Sequence, residues 1–125
     1  MAFADNLKQL PPVTHLGGLS LIAADGSVAA TIENKPGQAG SLAVYAALAE
    51  RHGRITPAAA REGLEMYAEH TADARQHPGK HPNIDRLLQL ADAADAQAGY
   101  EVQHALPPVD PMNPAQPGDD ALARF

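Results

Sequence analysis

Apolar positions recur along the chain at different spacings, and each spacing predicts an element. Phe3, Leu7 and Leu10 lie four and three apart, which lines them up on one helical face, and Pro11-Pro12 removes the next donors; a short helix is expected over about 3–10. Past Gly17-Gly18, the run from Leu19 to Ala23 and the alternating Val28, Ala30 and Ile32 read as two strands. Asp25-Gly26 between them accepts the positive φ angles of a tight hairpin. Leu42, Tyr45, Leu48, Ala49 and His52 repeat at three and four up to Gly53, predicting a helix over about 39–52.

Thr56-Pro57 has the chemistry of a helix start, with threonine as N-cap and proline at the first helical position. One continuous helix is expected from there to the His77-Pro78-Gly79-Lys80 reversal, burying Ala60, Leu64, Tyr67, Ala68, Thr71 and Ala74. A further helix capped by Asn83 would turn Ile84, Leu87, Leu88, Ala91 and Ala94 inward, with Arg86, Gln89, Asp92 and Asp95 toward water. Tyr100, Val102, His104 and Leu106 alternate with polar or small residues, the period of a half-buried strand. The sum is an α+β fold, a three-stranded antiparallel sheet (hairpin plus C-terminal strand) packed against three to four helices. Residues 1–106 form one small domain in this reading. Residues 107–125, with five prolines and little to bury, form a flexible tail that could dock on a protein partner.

Composition narrows the function. Of 125 residues 26 are alanine, there is no tryptophan, and only two phenylalanines and three tyrosines are present, so the core is small and base-stacking platforms are lacking. The net charge of −6 repels nucleic acid and anionic membranes. Zero cysteines exclude disulfide scaffolds, zinc knuckles and thiol catalysis. No secretory leader or membrane-length apolar run is read, which makes the cytoplasm the expected compartment. A thin sheet with an uncovered face or edge leads us to expect a homodimer.

The candidate chemistry clusters in one stretch. His70, His77 and His81 lie within twelve residues, beside Asp73. If the Pro78-Gly79 turn folds His77 or His81 back toward the His70/Asp73 pair, these four side chains make a nitrogen/oxygen site suited to a transition metal such as zinc, although the spacing matches no established signature. Alternatively, Lys80, Asn83 and Arg86 flank a helix start and would attract phosphate or carboxylate. Glu62, Glu65 and Glu69 read as a solvated face paired in part with Arg61, no serine sits in a nucleophile elbow, and His104 reads as a half-buried histidine bonded to backbone.

The segments Ala68–Arg75 and His77–Leu87, together with the opening Phe3–Leu10 and the Asp25-Gly26 hairpin, resemble a family of short bacterial proteins known only as a domain of unknown function, over about residues 1–106. The resemblance implies a stand-alone bacterial cytoplasmic domain and carries no activity, ligand or catalytic residue. Two classes of function stand against each other. The first and preferred is a small binding or adaptor protein; the second is a metal- or anion-dependent site around His70–Arg86, conceivably enzymatic as a dimer.

Overall fold

The computed structural model describes residues 2–95 and 97–105. Five helices and three strands follow in the order α1 (Phe3–Leu7), β1 (Gly18–Ile22), β2 (Val28–Glu33), α2 (Ala39–His52), α3 (Pro57–Tyr67), α4 (Glu69–Gln76), α5 (Pro82–Ala91) and β3 (Glu101–Ala105). The sheet is antiparallel throughout in the order β2-β1-β3, so the α+β reading holds, with one helix more than expected. Leu106 and the proline-rich tail lie outside the described residues.

The central strand carries the core. Leu19 pairs with Ile32 on one side and His104 on the other, and Leu21 pairs with Ala30 and Val102, so one face of the sheet meets the helices. Leu19, Leu21 and Ile32 are fully buried among Leu42, Tyr45 and Leu48 of α2. The opposite face bears the row Thr31, Ser20 and Gln103, with the Ser20 and Thr31 hydroxyl oxygens 3.4 Å apart. Beside this polar row the same face carries Ile22, paired with Val28 and Glu101. Val28 departs from the expected alternation. The register passes from Leu21↔Ala30 to Ile22↔Val28, and the extra residue, Ala29, rotates Val28 to the outer face beside Ile22, where it is 59% exposed.

Local signals decide several helix ends as expected. Gly53, at φ 79°, closes α2 with its N–H on the Ala49 carbonyl. The Thr56 hydroxyl accepts the Ala59 N–H at 3.1 Å, with Pro57 opening α3. Gly63 lies where a Cβ would come within 2.8 Å of both Leu48 and Leu87, so a bare backbone lets α3 settle between α2 and α5. Ile55 and Tyr100 exchange two backbone hydrogen bonds of 2.8 and 3.0 Å, which lead the chain back to the sheet.

Other ends differ. The first helix stops at Leu7 and continues to Leu10 only as turns, and it buries no residue. The helix after the Pro-Gly reversal begins at Pro82 with His81, not Asn83, at the N-cap; it ends at Ala91, leaving Ala94 exposed. The single helix expected over 57–76 is two. Ala68 breaks it at φ 52°, ψ −116°, a conformation that alanine adopts only at a cost of about 1–3 kcal/mol. The break is held by the buried Thr71, whose hydroxyl donates to the Leu64 carbonyl at 2.6 Å and whose N–H reaches the Ala68 carbonyl. The apolar period runs through it, and alanine is the strongest helix former, so nothing local announces the turn.

Strain at Ala68 gives a measurable expectation. Ala68→Gly raises the unfolding free energy by about 1 kcal/mol, because glycine relieves the positive φ at less cost than the strain it removes. Ala72→Gly, on the exposed side of α4, lowers it by about 0.5–1 kcal/mol. Urea denaturation of the two variants checks the opposite signs.

Candidate functional site

The Pro78-Gly79 reversal brings α4 and α5 together at one carboxylate. Gly79 turns at φ 92°, Lys80 N–H reaches the His77 carbonyl, and Asp85 reaches back to accept the Gly79 N–H at 2.9 Å. Asp73 then lies between partners from both sides of the turn. Its Oδ1 is 3.1 Å from His77 Nδ1; its Oδ2 is 2.6 Å from His81 Nε2 and 3.1 Å from Lys80 Nζ. The hydrogen bond from His81, followed by that from Lys80, holds the Asp73 carboxyl well below the usual carboxylate range, against a smaller opposing effect of desolvation. An ionised carboxylate only accepts, so Nε2 of His81 carries the shared proton, an assignment that follows from the hydrogen-bond pattern.

The four residues expected to share a metal are thus brought near one another but not around a point. His77 and His81 approach opposite oxygens of Asp73. His70 turns away to meet the edge of Phe3 at 5.1 Å between ring centroids, and its ring is 6.0 Å from that of His81. Among the described residues no three His, Asp or Glu side chains are disposed to hold one metal ion.

The expected anion clamp also divides. Arg86 is half-buried rather than turned outward: its guanidinium lies 5.8 Å from the Tyr45 ring and donates to the Tyr45 hydroxyl at 3.1 Å and to Asn83 Oδ1 at 2.9 Å. Tyr45 in turn donates to the Asn83 carbonyl, and burial pushes its phenol up to about 12, with Arg86 opposing. Arg86 therefore braces α5 against α2. Lys80 and Asn83 remain at the site, lining a groove of about 490 Å³ together with His70 and His81.

That groove also contains what the sequence reading missed. Its walls include the start of α2, at Ala39, Gly40 and Ser41, opposite the start of α5. Neither start is capped by a side chain. The first amides of an α-helix have no acceptor inside the helix; here the Ala39 N–H is taken by the Lys35 carbonyl and the Ile84 N–H by the His81 carbonyl, and Pro82 has none, which leaves Gly40 and Ser41 at one start and Asn83 at the other. Tyr67, its phenol pushed up by burial, donates to Ser41 Oγ at 2.6 Å and leaves the serine its own proton to give. The glycine-rich entry Gly37-Gln-Ala-Gly-Ser41 was the available signal.

Elsewhere, Glu62 pairs with Arg51 and His52 rather than Arg61, whose guanidinium caps the Ala91 carbonyl. His104 is exposed, not half-buried on backbone. It stands at the lip of a second groove of about 470 Å³ between α2, β3 and residues 11–16.

The model of a protein family described as uncharacterized and conserved in bacteria, DUF2322, matches residues 3–102, and the chain belongs to this family. No curated protein and no solved structure matches the chain.

The depressed Asp73 carboxyl sets a pH dependence. A carboxylate whose ionised form is favoured by folding adds stability above its unfolded value, near 4, and loses that contribution as pH falls toward its lower folded value. Asp73→Asn is accordingly less stable than the wild type at pH 7, and the gap closes progressively below about pH 4. Paired urea titrations from pH 7 to pH 2.5 measure the gap; one that stays constant with pH contradicts the assignment.

Proposed function

We propose that this member of the DUF2322 family is a small binding protein that takes an anionic small molecule in the groove between the starts of α2 and α5. The reading is carried by one observation: two helix starts without side-chain caps line the same groove as Lys80, His70 and His81. Each helix start carries roughly half a positive charge, offset at α5 by Asp85 in its first turn, and the amides of Gly40, Ser41 and Asn83 are left for an acceptor, the ordinary chemistry of phosphate and carboxylate sites. The chain is acidic, with a net charge of −6, and Lys80 is already paired with Asp73, so the donors left to meet an anion are the amides of Gly40, Ser41 and Asn83 together with the Ser41 hydroxyl.

The polar side chains are also pre-positioned. Asp73 fixes His81 and holds Lys80 at the rim, and Tyr67 orients Ser41. Such anchoring lowers the ordering cost that a ligand would otherwise bear. Carboxylate and phosphate share this recognition chemistry, and both belong to the proposal.

Titration of the ¹⁵N-labelled protein with inorganic phosphate, at constant ionic strength against chloride, tests it. Saturable shifts of the Gly40, Ser41 and Asn83 amides are expected. Ser41→Ala weakens binding about tenfold, the loss of one charge-assisted hydrogen bond. Shifts that fail to saturate, or that chloride reproduces, reject the proposal.

A further inference from the structure

The groove beside His104 lies at the other end of α2 from the anion site and has a different character. Its walls are largely apolar: Pro11, Pro12 and Val13 on one side, Ala46 and Ala49 of α2 on another, and Val102 of β3 on the third. We infer that this groove receives the chain's own segment Leu106-Pro-Pro-Val109, which leaves β3 at the groove lip and lies along the groove as an extended apolar strap. The inference is independent of the anion reading.

The sheet opens the groove because its helical cover stops short of one edge. Leu19 and Leu21 of the central strand are fully buried, whereas their partners on β3 and on the same face, His104 and Val102, are exposed and half-buried. On that inward face the alternation Val102, His104 reaches position 106 next, and it is leucine. The register closes at Gly18↔Ala105, which sets position 106 opposite Gly17, next to Leu16 on the groove wall. Leu106 in this register covers the lip that His104 leaves open.

The following residues determine how the chain leaves the sheet. Pro107 and Pro108 have no N–H with which to extend the ladder, and each steers the residue before it to an extended conformation. Leu106-Pro-Pro-Val109 is apolar throughout and favours polyproline geometry, so docking it costs little ordering entropy. Its length agrees with the wall it would follow. From Ala46 to Gly53 helix α2 rises about 10.5 Å, and four residues of polyproline chain at about 3.1 Å each span a similar distance. Asp110 then ends the apolar run. Tethering decides the occupant: a segment that starts two residues beyond the lip is present at an effective concentration on the order of millimolar, which a second copy or another protein must outcompete.

The chain has no cysteine, so Asn113→Cys accepts a single nitroxide label just past the strap. In ¹⁵N spectra of the full chain this label is expected to broaden the amides of Val13, Ala46 and Glu50, and nuclear Overhauser contacts in the unlabelled protein join the Leu106 and Val109 methyls to those of Ala46 and Ala49. Leu106→Ser with Val109→Ser, in the same labelled chain, relieves the broadening and abolishes the contacts. Ala46→Glu does the same from the wall side; if it fails to fold, the strap variant decides, since both its positions lie outside the elements that build the core. Broadening that persists unchanged without the two apolar anchors overturns the inference, and so does its absence from the start. A mixture of labelled ¹⁴N chain and unlabelled ¹⁵N chain distinguishes the remaining occupant: broadening there shows a strap donated by a second copy, and the intrachain assignment falls.

Discussion

One carboxylate joins two consecutive helices across a reversal of chain direction, and the groove exists because of it. Asp73 receives hydrogen bonds from His77, Lys80 and His81, which flank a turn that proline and glycine have already bent. Surface ion pairs taken singly contribute little, about 0–1 kcal/mol. Here the pairs converge on one acceptor and act on geometry more than on stability. They bring the start of α5 alongside α4 and hold His81 and Lys80 on Asp73, at one end of the groove whose other wall is the start of α2. Without that closure, the amides at Asn83 and those at Ser41 would belong to separate surfaces.

How much of this was legible depends on whether the deciding chemistry is local. The Asp25-Gly26 hairpin, the Gly53 stop and the Thr56-Pro57 start were readable because each is settled within four residues. The approach of His77 and His81 to Asp73 was readable for the same reason, since a Pro-Gly turn folds whatever flanks it. The break at Ala68 was not: a residue with maximal helix propensity sits in an unbroken apolar period, and the turn is imposed by Thr71 on Leu64 and by α1 packing across the junction. His70 could not be placed either, because its neighbour Phe3 lies 67 residues upstream. Arg86 looked like a surface cation until Tyr45, 41 residues away, supplied a buried hydroxyl for it to brace.

Composition shaped the site indirectly. A chain with 26 alanines and few aromatic residues packs its helices closely and has little bulk with which to enclose a deep cavity. What it can build is a cleft between element ends, where backbone donors replace side-chain ones. Two of its five aromatic residues, Phe3 and Tyr67, meet at that cleft, and a third, Tyr45, sits directly behind it. The groove of about 470 Å³ at His104 is bordered instead by Pro11, Pro12 and the middle and end of α2, with no helix start in its lining.

The interlock at Gly63 has a mechanical corollary. Because Leu48 and Leu87 both press on that one bare position, α2 and α5 are clamped at a fixed spacing, and the two jaws that face each other across the cleft are stiff. The third jaw, α1, is held by one exposed and one half-buried hydrogen bond, a ring stack and the packing of Phe3 and Leu7 on Gly40. Such a vice has one adjustable side: the spacing between the starts of α2 and α5 is set by the core, whereas that of α1 is set at the surface.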